Sequence, residues 1–216
     1  SELESRTESD LERGLERREL EALRYLGLDE KSFAKGQSYV SVMTDLEEGR
    51  VLEVMDGADQ LSAEMLLATL TDEVLERIEA VCMDMGASYR AAAESQLPGV
   101  AIVHDRFHIS AHLNDAVAMV HRQENAILKE KGDRRLEGTQ CLFGFDPGNM
   151  NQEQALRFRE LRDADLRVCR AWAIKETFRH FWSYRYEGSA RRFFRDWFGW
   201  ASHSRLKPII EVARMI

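Results

Sequence analysis

The sequence predicts an α/β domain, with antiparallel hairpin strands extended by parallel strands into one mixed sheet, followed by an all-helical subdomain. Three observations predict this. A β-rich block reaching residue 57 holds a glycine-closed hairpin; helix and strand patterns then alternate up to residue 105; no strand pattern occurs from residue 106 onward. The charge reverses at the same place. Residues 1–105 hold 10 Lys+Arg against 24 Asp+Glu, a balance of −14, and residues 106–216 hold 20 against 14, a balance of +6. Such asymmetry describes an acidic part and a part suited to a polyanion.

Each element follows from local pattern. Residues 1–24 are mostly charged, with Leu11, Leu15, Leu20 and Leu23 at helical steps, and read as an exposed lead-in helix or linker. "YLGLDE" (25–30) is a short apolar run ending on acid. "SYVSVMTDLEEGRVLEVMDG" (38–57) is two β-branched runs around a turn supplied by Gly49, hence a hairpin. "SAEMLLATL" reads as a helix, "IEAVCMDMG" as a strand ending on Asp84, and "SYRAAAESQLPG" as a helix closed by Leu97, Pro98 and Gly99. "VAIVHD" is a further buried strand ending on Asp105. Helix–strand–helix–strand order implies that the later strands join in parallel through crossovers. "RFHISAHLNDAVAMVHRQENAILKE" then predicts a long helix with Phe107, Leu113, Val117, Val120 and Ile127 inward. Residues 132–151 form a Gly-rich loop, while 151–182 and 187–203 are helical. The division expected is a lead-in at 1–24, a core at 25–130 and a basic, aromatic-rich helical subdomain at 131–216.

Composition excludes several classes. No run approaches the ~20 apolar residues of a membrane span, and no apolar stretch follows the amino terminus as in a signal peptide. Cys82, Cys141 and Cys169 are widely spaced and form no C-x-x-C pair, which points to a reducing, cytoplasmic setting without disulfides or a cysteine zinc ribbon. His104, His108 and His112 recur at steps of four, as metal ligands on a helix would. The strand predicted for 100–105 breaks that ladder, and the surviving His108–His112 pair has no Glu placed as in H-E-x-x-H. A zinc site is therefore not expected there.

The chemistry falls instead on acids. Asp29, Asp84 and Asp105 each end a strand-like run, and in an open α/β sheet ligands gather outside the carboxyl ends of the strands. Clustered carboxylates repel unless a cation neutralises them, and Mg²⁺ prefers such oxygen donors. Two ions held ~4 Å apart can activate a water and stabilise the leaving oxygen of a phosphodiester.

The segments "GLDEKSFAKGQSYVSVMTDLEEGRVLEV", "VCMDMGASYRAAAESQLPGVAIVHDRFHISAHLNDAV" and "RLEGTQCLFGFDP" resemble, in order, the DDE transposases of the ISL-three insertion-sequence family. That family carries "DE-x-x-x-x-x-G", "Y-x-x-V-x-x-D-L", "x-D-M-x-x-x-Y" and "LP-x-A-x-I-V-x-D-x-FH" in this order. The resemblance runs from about Gly14 to the last residue. It implies a ribonuclease H-like core with a helical insertion, an Asp–Asp–Glu set binding two Mg²⁺ (or Mn²⁺) ions, and DNA strand cleavage and transfer during transposition. Asp29 and Asp84 fall on the family's first two acids. Asp105 and His108 fall on its "D-x-FH" element, near the site, with Asp105 a further candidate ligand. The family's third acid, in a helix with an "E-x-x-N" element, is expected beyond Ile216, since Glu176, Glu187 and Glu211 lack that context. The family's amino-terminal zinc-binding and helix-turn-helix parts have no counterpart in this stretch, so a core fragment is expected. Its partners would be transposon ends and target DNA, bound by a homo-oligomer in the bacterial nucleoid, with no membrane.

The basic half adds its own argument. "KETFRHFWSYRYEGSARRFFRDWFGWASHSRLK" interleaves Arg179, Arg185, Arg191, Arg192 and Arg195 with Phe181, Trp182, Tyr184, Tyr186, Phe193, Phe194, Trp197 and Trp200. Cations suit phosphates, and exposed aromatics can stack on unpaired bases. The same aromatics can equally be the core of a helical subdomain with its arginines solvated. Two further functional classes stay open: a catalytically incomplete remnant that binds DNA or protein, and an unrelated metal-dependent nuclease or phosphatase using Asp29, Asp84 and Asp105 as a complete site.

Overall fold

The computed structural model describes residues 20–32 and 39–216. Most of the lead-in segment, including Leu11 and Leu15, lies outside the described residues. The chain divides into two compact units meeting at Asp105/Arg106, where the charge balance reverses. The helix at 106–130, which the sequence reading groups with the core, belongs by its contacts to the second unit.

The first unit is a mixed α/β layer. Strands β1 (Tyr25–Ser32), β2 (Tyr39–Asp45), β3 (Arg50–Asp56), β4 (Ala80–Met83) and β5 (Ala101–His104) form one sheet in the order β3-β2-β1-β4-β5. The β1–β2 and β2–β3 pairs are antiparallel, whereas β4 and β5 add in parallel. The hairpin and its parallel extension thus follow the sequence pattern. Gly49 turns the hairpin at φ 64°, a conformation open to glycine. β1 does not stop at Asp29 but runs on to Ser32, because β2 goes on pairing with it as far as Tyr39.

Helices α1 (Gln60–Leu67), α2 (Asp72–Leu75) and α3 (Ala87–Gln96) connect the strands, and α2 escaped the sequence reading. Asp59 caps α1 by accepting the Ser62 N–H at 2.9 Å. One sheet face supplies Leu26, Leu28, Met43, Val81 and Met83, all nearly or fully buried, to a core shared with Leu66 and Leu67 of α1 and with Tyr89, Ala92 and Ala93 of α3. At β3–β2 the Tyr89 and Ser41 hydroxyls meet at 2.7 Å, and Ser41 Oγ also donates to the Gly57 carbonyl at 2.9 Å. Both buried hydroxyls are thereby satisfied.

The second unit is helical throughout its described elements: α4 (Arg106–Glu130), α5 (Gln152–Arg162), α6 (Arg167–Phe178), α7 (Glu187–Ser202) and α8 (Lys207–Met215), with short 3₁₀ turns between. α4 packs against α6 and α8, and α7 against both of those. Leu113, Val117 and Val120 are buried as expected, together with Ile109 and Ala116, but Phe107 is 72% exposed and Ile127 is 42% exposed. At 100° per residue Phe107 lies roughly 110° around the helix from the centre of the Leu113, Val117 and Val120 row. Ile127 lies beyond Glu124, the last buried residue of α4. The helix expected over 151–182 is three pieces, because the chain turns at Asp165 with φ 48° and tightens to 3₁₀ after Phe178.

Buried polar groups join these helices. Glu124 of α4 accepts the backbone N–H groups of Arg167 and Val168, each at 2.8 Å, at the start of α6. Lys175 of α6 donates to the Phe143 carbonyl at 2.8 Å and to Asn114 Oδ1 of α4 at 3.2 Å. Burial, followed by Glu124, pushes the Cys169 thiol up to about 11, so it stays protonated and inert.

Candidate active site

The strand register brings the three aspartates into one row. β1 and β4 pair as far as Leu28↔Met83, and β4 and β5 as far as Met83↔His104. One residue further along, Asp29, Asp84 and Asp105 follow in step across the parallel edge of the sheet. The ladder reaches that row, for the Asp105 N–H donates to the Met83 carbonyl at 3.0 Å. Adjoining strands run about 4.8 Å apart, so side chains of neighbouring strands in this row lie within reach of each other.

Period-two alternation also sets the face. Leu28 and Met83 point into the helix-covered core, so Asp29 shares the other face with Gly27 and Cys82. That face is more open: Cys82 is half-buried and Val103 is 48% exposed. Burial first, and then the charges of Asp105 and Asp29, push the Cys82 thiol up. Both carboxylates therefore act on one point of the sheet.

Lys31, two residues on from Asp29 and on the same face, was not singled out from the sequence. Its Nζ lies 2.6 Å from Asp29 Oδ2. Hydrogen bonding to Asp29 and then its charge raise the ammonium, with Asp105 adding to the effect. Spacing i, i+2 in a strand is the signal that could have found it. Asp29 Oδ1 accepts the Glu30 N–H at 2.9 Å, and Asp84 Oδ1 accepts the Met85 N–H at 2.5 Å. The donors are hard oxygens, which suits Mg²⁺ or Mn²⁺. Among the described residues, however, no three His, Cys, Asp or Glu side chains are gathered closely enough to hold a metal ion. Lys31 supplies a cation in contact with Asp29.

The other candidate acids lie in the second unit, each in an ion pair. Glu176 meets Lys175 at 3.1 Å and Arg179 at 2.8 Å, Glu187 meets Arg191 at 2.7 Å, and Glu211 meets Lys207 at 3.8 Å. His104 ends β5 while His108 and His112 ride on α4, so the strand-to-helix change does separate them. The His108 ring stands edge-on to Phe107 at 5.7 Å.

The aromatics of the basic half divide into buried and exposed rings. Phe178 and Trp197 are buried, with ring centroids 4.5 Å apart, and the Trp197 indole N–H donates to the Ile174 carbonyl at 2.9 Å. Tyr184, Tyr186, Phe198 and Trp200 are exposed. Of the candidate DNA-contacting arginines, Arg179 is bound by Glu176 and Asp146, Arg191 by Glu187 and Arg195 by Asp196, while Arg185 and Arg192 are exposed. Asp146, in the "FDPG" turn, carries no sequence signal for its part in this network.

The family model described as transposase, for the ISL-three group, matches residues 26–216. The chain belongs to the ISL-three transposase family. It is 25% identical over 197 residues to the transposase for insertion sequence element IS1001 of Bordetella parapertussis, covering 90% of this chain and 48% of that protein. It is 24% identical over 217 residues to the transposase for insertion sequence element IS1557 of Mycobacterium tuberculosis (strain CDC 1551 / Oshkosh), covering 90% and 49%. The chain thus spans about half the length of the curated relatives it matches. Among the described residues no helix is long and apolar enough to cross a membrane.

Proposed function

We propose that this chain is the catalytic core of a DNA transposase with a ribonuclease H-like sheet, and that the whole protein cleaves and transfers DNA strands by metal-assisted chemistry. The placement of Asp29 within β1 beside Asp84 and Asp105, each one residue past the last paired row of β4 and β5, is the observation that carries this reading. Family membership supports the DNA substrate. In this reading Asp29 and Asp84 would hold a divalent cation, with Asp105 beside them, in place of the Lys31 ammonium at Asp29. A Mg²⁺ or Mn²⁺ ion so held would supply Lewis acidity at a phosphodiester. Arg185 and Arg192, joined by Arg179, Arg191 and Arg195, would lie along the phosphates of transposon-end or target DNA. A homo-oligomer on DNA, in the nucleoid, belongs to the same proposal.

Lys31 on Asp29 favours a second reading in one respect. A core whose acid is already neutralised binds DNA without needing a metal, as a catalytically incomplete remnant would. The two are separated by titrating Mn²⁺ calorimetrically into the 216-residue chain, while duplex DNA binding with and without EDTA tests the DNA binding that both share. The active-core reading expects Mn²⁺ binding that Asp29→Ala and Asp84→Ala each weaken. DNA binding should fall with salt and persist in EDTA, since phosphate contacts carry it. The chain by itself should leave a labelled duplex uncut, because two aspartates do not position a second ion. Mn²⁺ binding indifferent to both substitutions would end the metal assignment. Nicking abolished by Asp29→Ala would show a complete site within this chain and favour the nuclease class.

A further inference from the structure

We infer that the hollow beside α7, within the second unit, takes one unpaired base of single-stranded DNA. This rests on the DNA-binding reading above and assigns it a particular site. The hollow encloses about 440 Å³, in the range of pockets that hold small planar ligands. Its aromatic wall is Tyr184, Phe193, Trp197 and Trp200, and its polar wall includes Arg192 and Asp196.

Four features point to a base. Trp197 forms a rigid floor, being 2% exposed and fixed through its indole N–H. Trp200 and Tyr184, by contrast, are 44% and 42% exposed and offer rings to a planar partner. Tyr184 stands 5.2 Å from the Phe193 ring, which holds it against the hollow. Arg192, Asp196 and Trp200 recur at helical steps of four, so cation, carboxylate and indole share one face of α7.

The polar groups suit base edges. Arg192 donates and Asp196 accepts, which matches the mixed donors and acceptors of a nucleobase edge. Among the described residues Arg192 stands in no ion pair, whereas Arg191 and Arg195 do. The charge of +6 over residues 106–216 suits the phosphates on either side of such a base. A paired base cannot enter, since its faces are already stacked on its neighbours. The ligand is therefore a single strand or a locally opened end.

The test follows tryptophan fluorescence and DNA affinity together. The probes are a short single strand, the same strand with abasic sites, and a relaxed closed-circular duplex. The intact strand should quench the indole emission and bind more tightly than its abasic counterpart. Trp200→Ala should weaken single-strand binding roughly five- to hundredfold while leaving duplex binding nearly unchanged. Trp200→Phe, which keeps a stacking ring, should restore affinity but lose the share of the quenching that Trp200 supplies, leaving that of Trp197; it decides the matter if the alanine variant fails to fold. Equal binding of intact and abasic strands, or single-strand binding indifferent to Trp200→Ala and Tyr184→Ala, would overturn the inference and leave duplex binding standing. Absence of binding to every DNA would overturn the DNA reading as well.

Discussion

Replacing Glu124 by alanine should cost the second unit about 2–4 kcal/mol, and the structure shows why. Glu124 is 8% exposed on α4, and its two carboxylate oxygens accept the Arg167 and Val168 N–H groups at the start of α6. The N-cap position is Leu166, whose side chain cannot cap, so the distant glutamate serves instead. Hydrogen bonds to a charged acceptor contribute about 1.5–3 kcal/mol each. Val168 is fully buried, so its orphaned N–H finds no water; Arg167 is half-buried and can be rehydrated in part, which trims the sum. The carboxylate also faces the positive end of the helix dipole, worth about 0.3–1 kcal/mol. Glu124→Gln keeps one acceptor oxygen and should cost roughly half as much. Urea unfolding followed by tryptophan emission measures both, with exposed Glu130→Ala on the same helix as a control within about 0.5 kcal/mol. A Glu124→Ala variant within that same margin, with an unchanged urea slope, would refute the capping role.

Two other perturbations test the packing. His121 is 3% exposed, its Nε2 lies 3.1 Å from Thr139 Oγ1, and burial lowers its affinity for a proton below the usual value of 6.5. Between that depressed value and 6.5 the unfolded chain binds the extra proton, so stability should fall as pH is lowered through this window; the fall should shrink in His121→Gln when urea midpoints at pH 7.5 and 5.5 are compared. In β1, a Cβ on Gly27 would come 2.3 Å from Thr44 Oγ1 and 2.9 Å from Leu46 Cδ2. Gly27→Ala should therefore cost about 1–3 kcal/mol, and adding Thr44→Ala should recover part of it; a thermal melt showing no loss would mean that Thr44 yields freely.

How much was legible beforehand depended on the range of the signal. The hairpin, the alternation that places β4 and β5 in parallel and the long α4 are written in local patterns of period 2 and 3.6, and all are found. The row of Asp29, Asp84 and Asp105 was half-legible. Each acid follows an apolar run, which the sequence displays, while their side-by-side placement comes from a register between strands that lie far apart in the chain. Lys31 hid in plain view because a charged residue near a strand end looks solvated. The links of Glu124 to Val168, Lys175 to Phe143 and Asp146 to Arg179 were not legible at all, since each spans 30 or more residues.

The sequence by itself therefore determined the mixed α/β class, the boundary in charge near residue 105 and the family, because all of these reside in composition, periodicity or motif order. Only the tertiary structure decided that Lys31 meets Asp29, which aromatics are buried and which exposed, and which helix Glu124 caps. Those outcomes depend on which distant groups are brought together when apolar surface is buried, and a buried polar group takes whichever partner the packing leaves within hydrogen-bond reach.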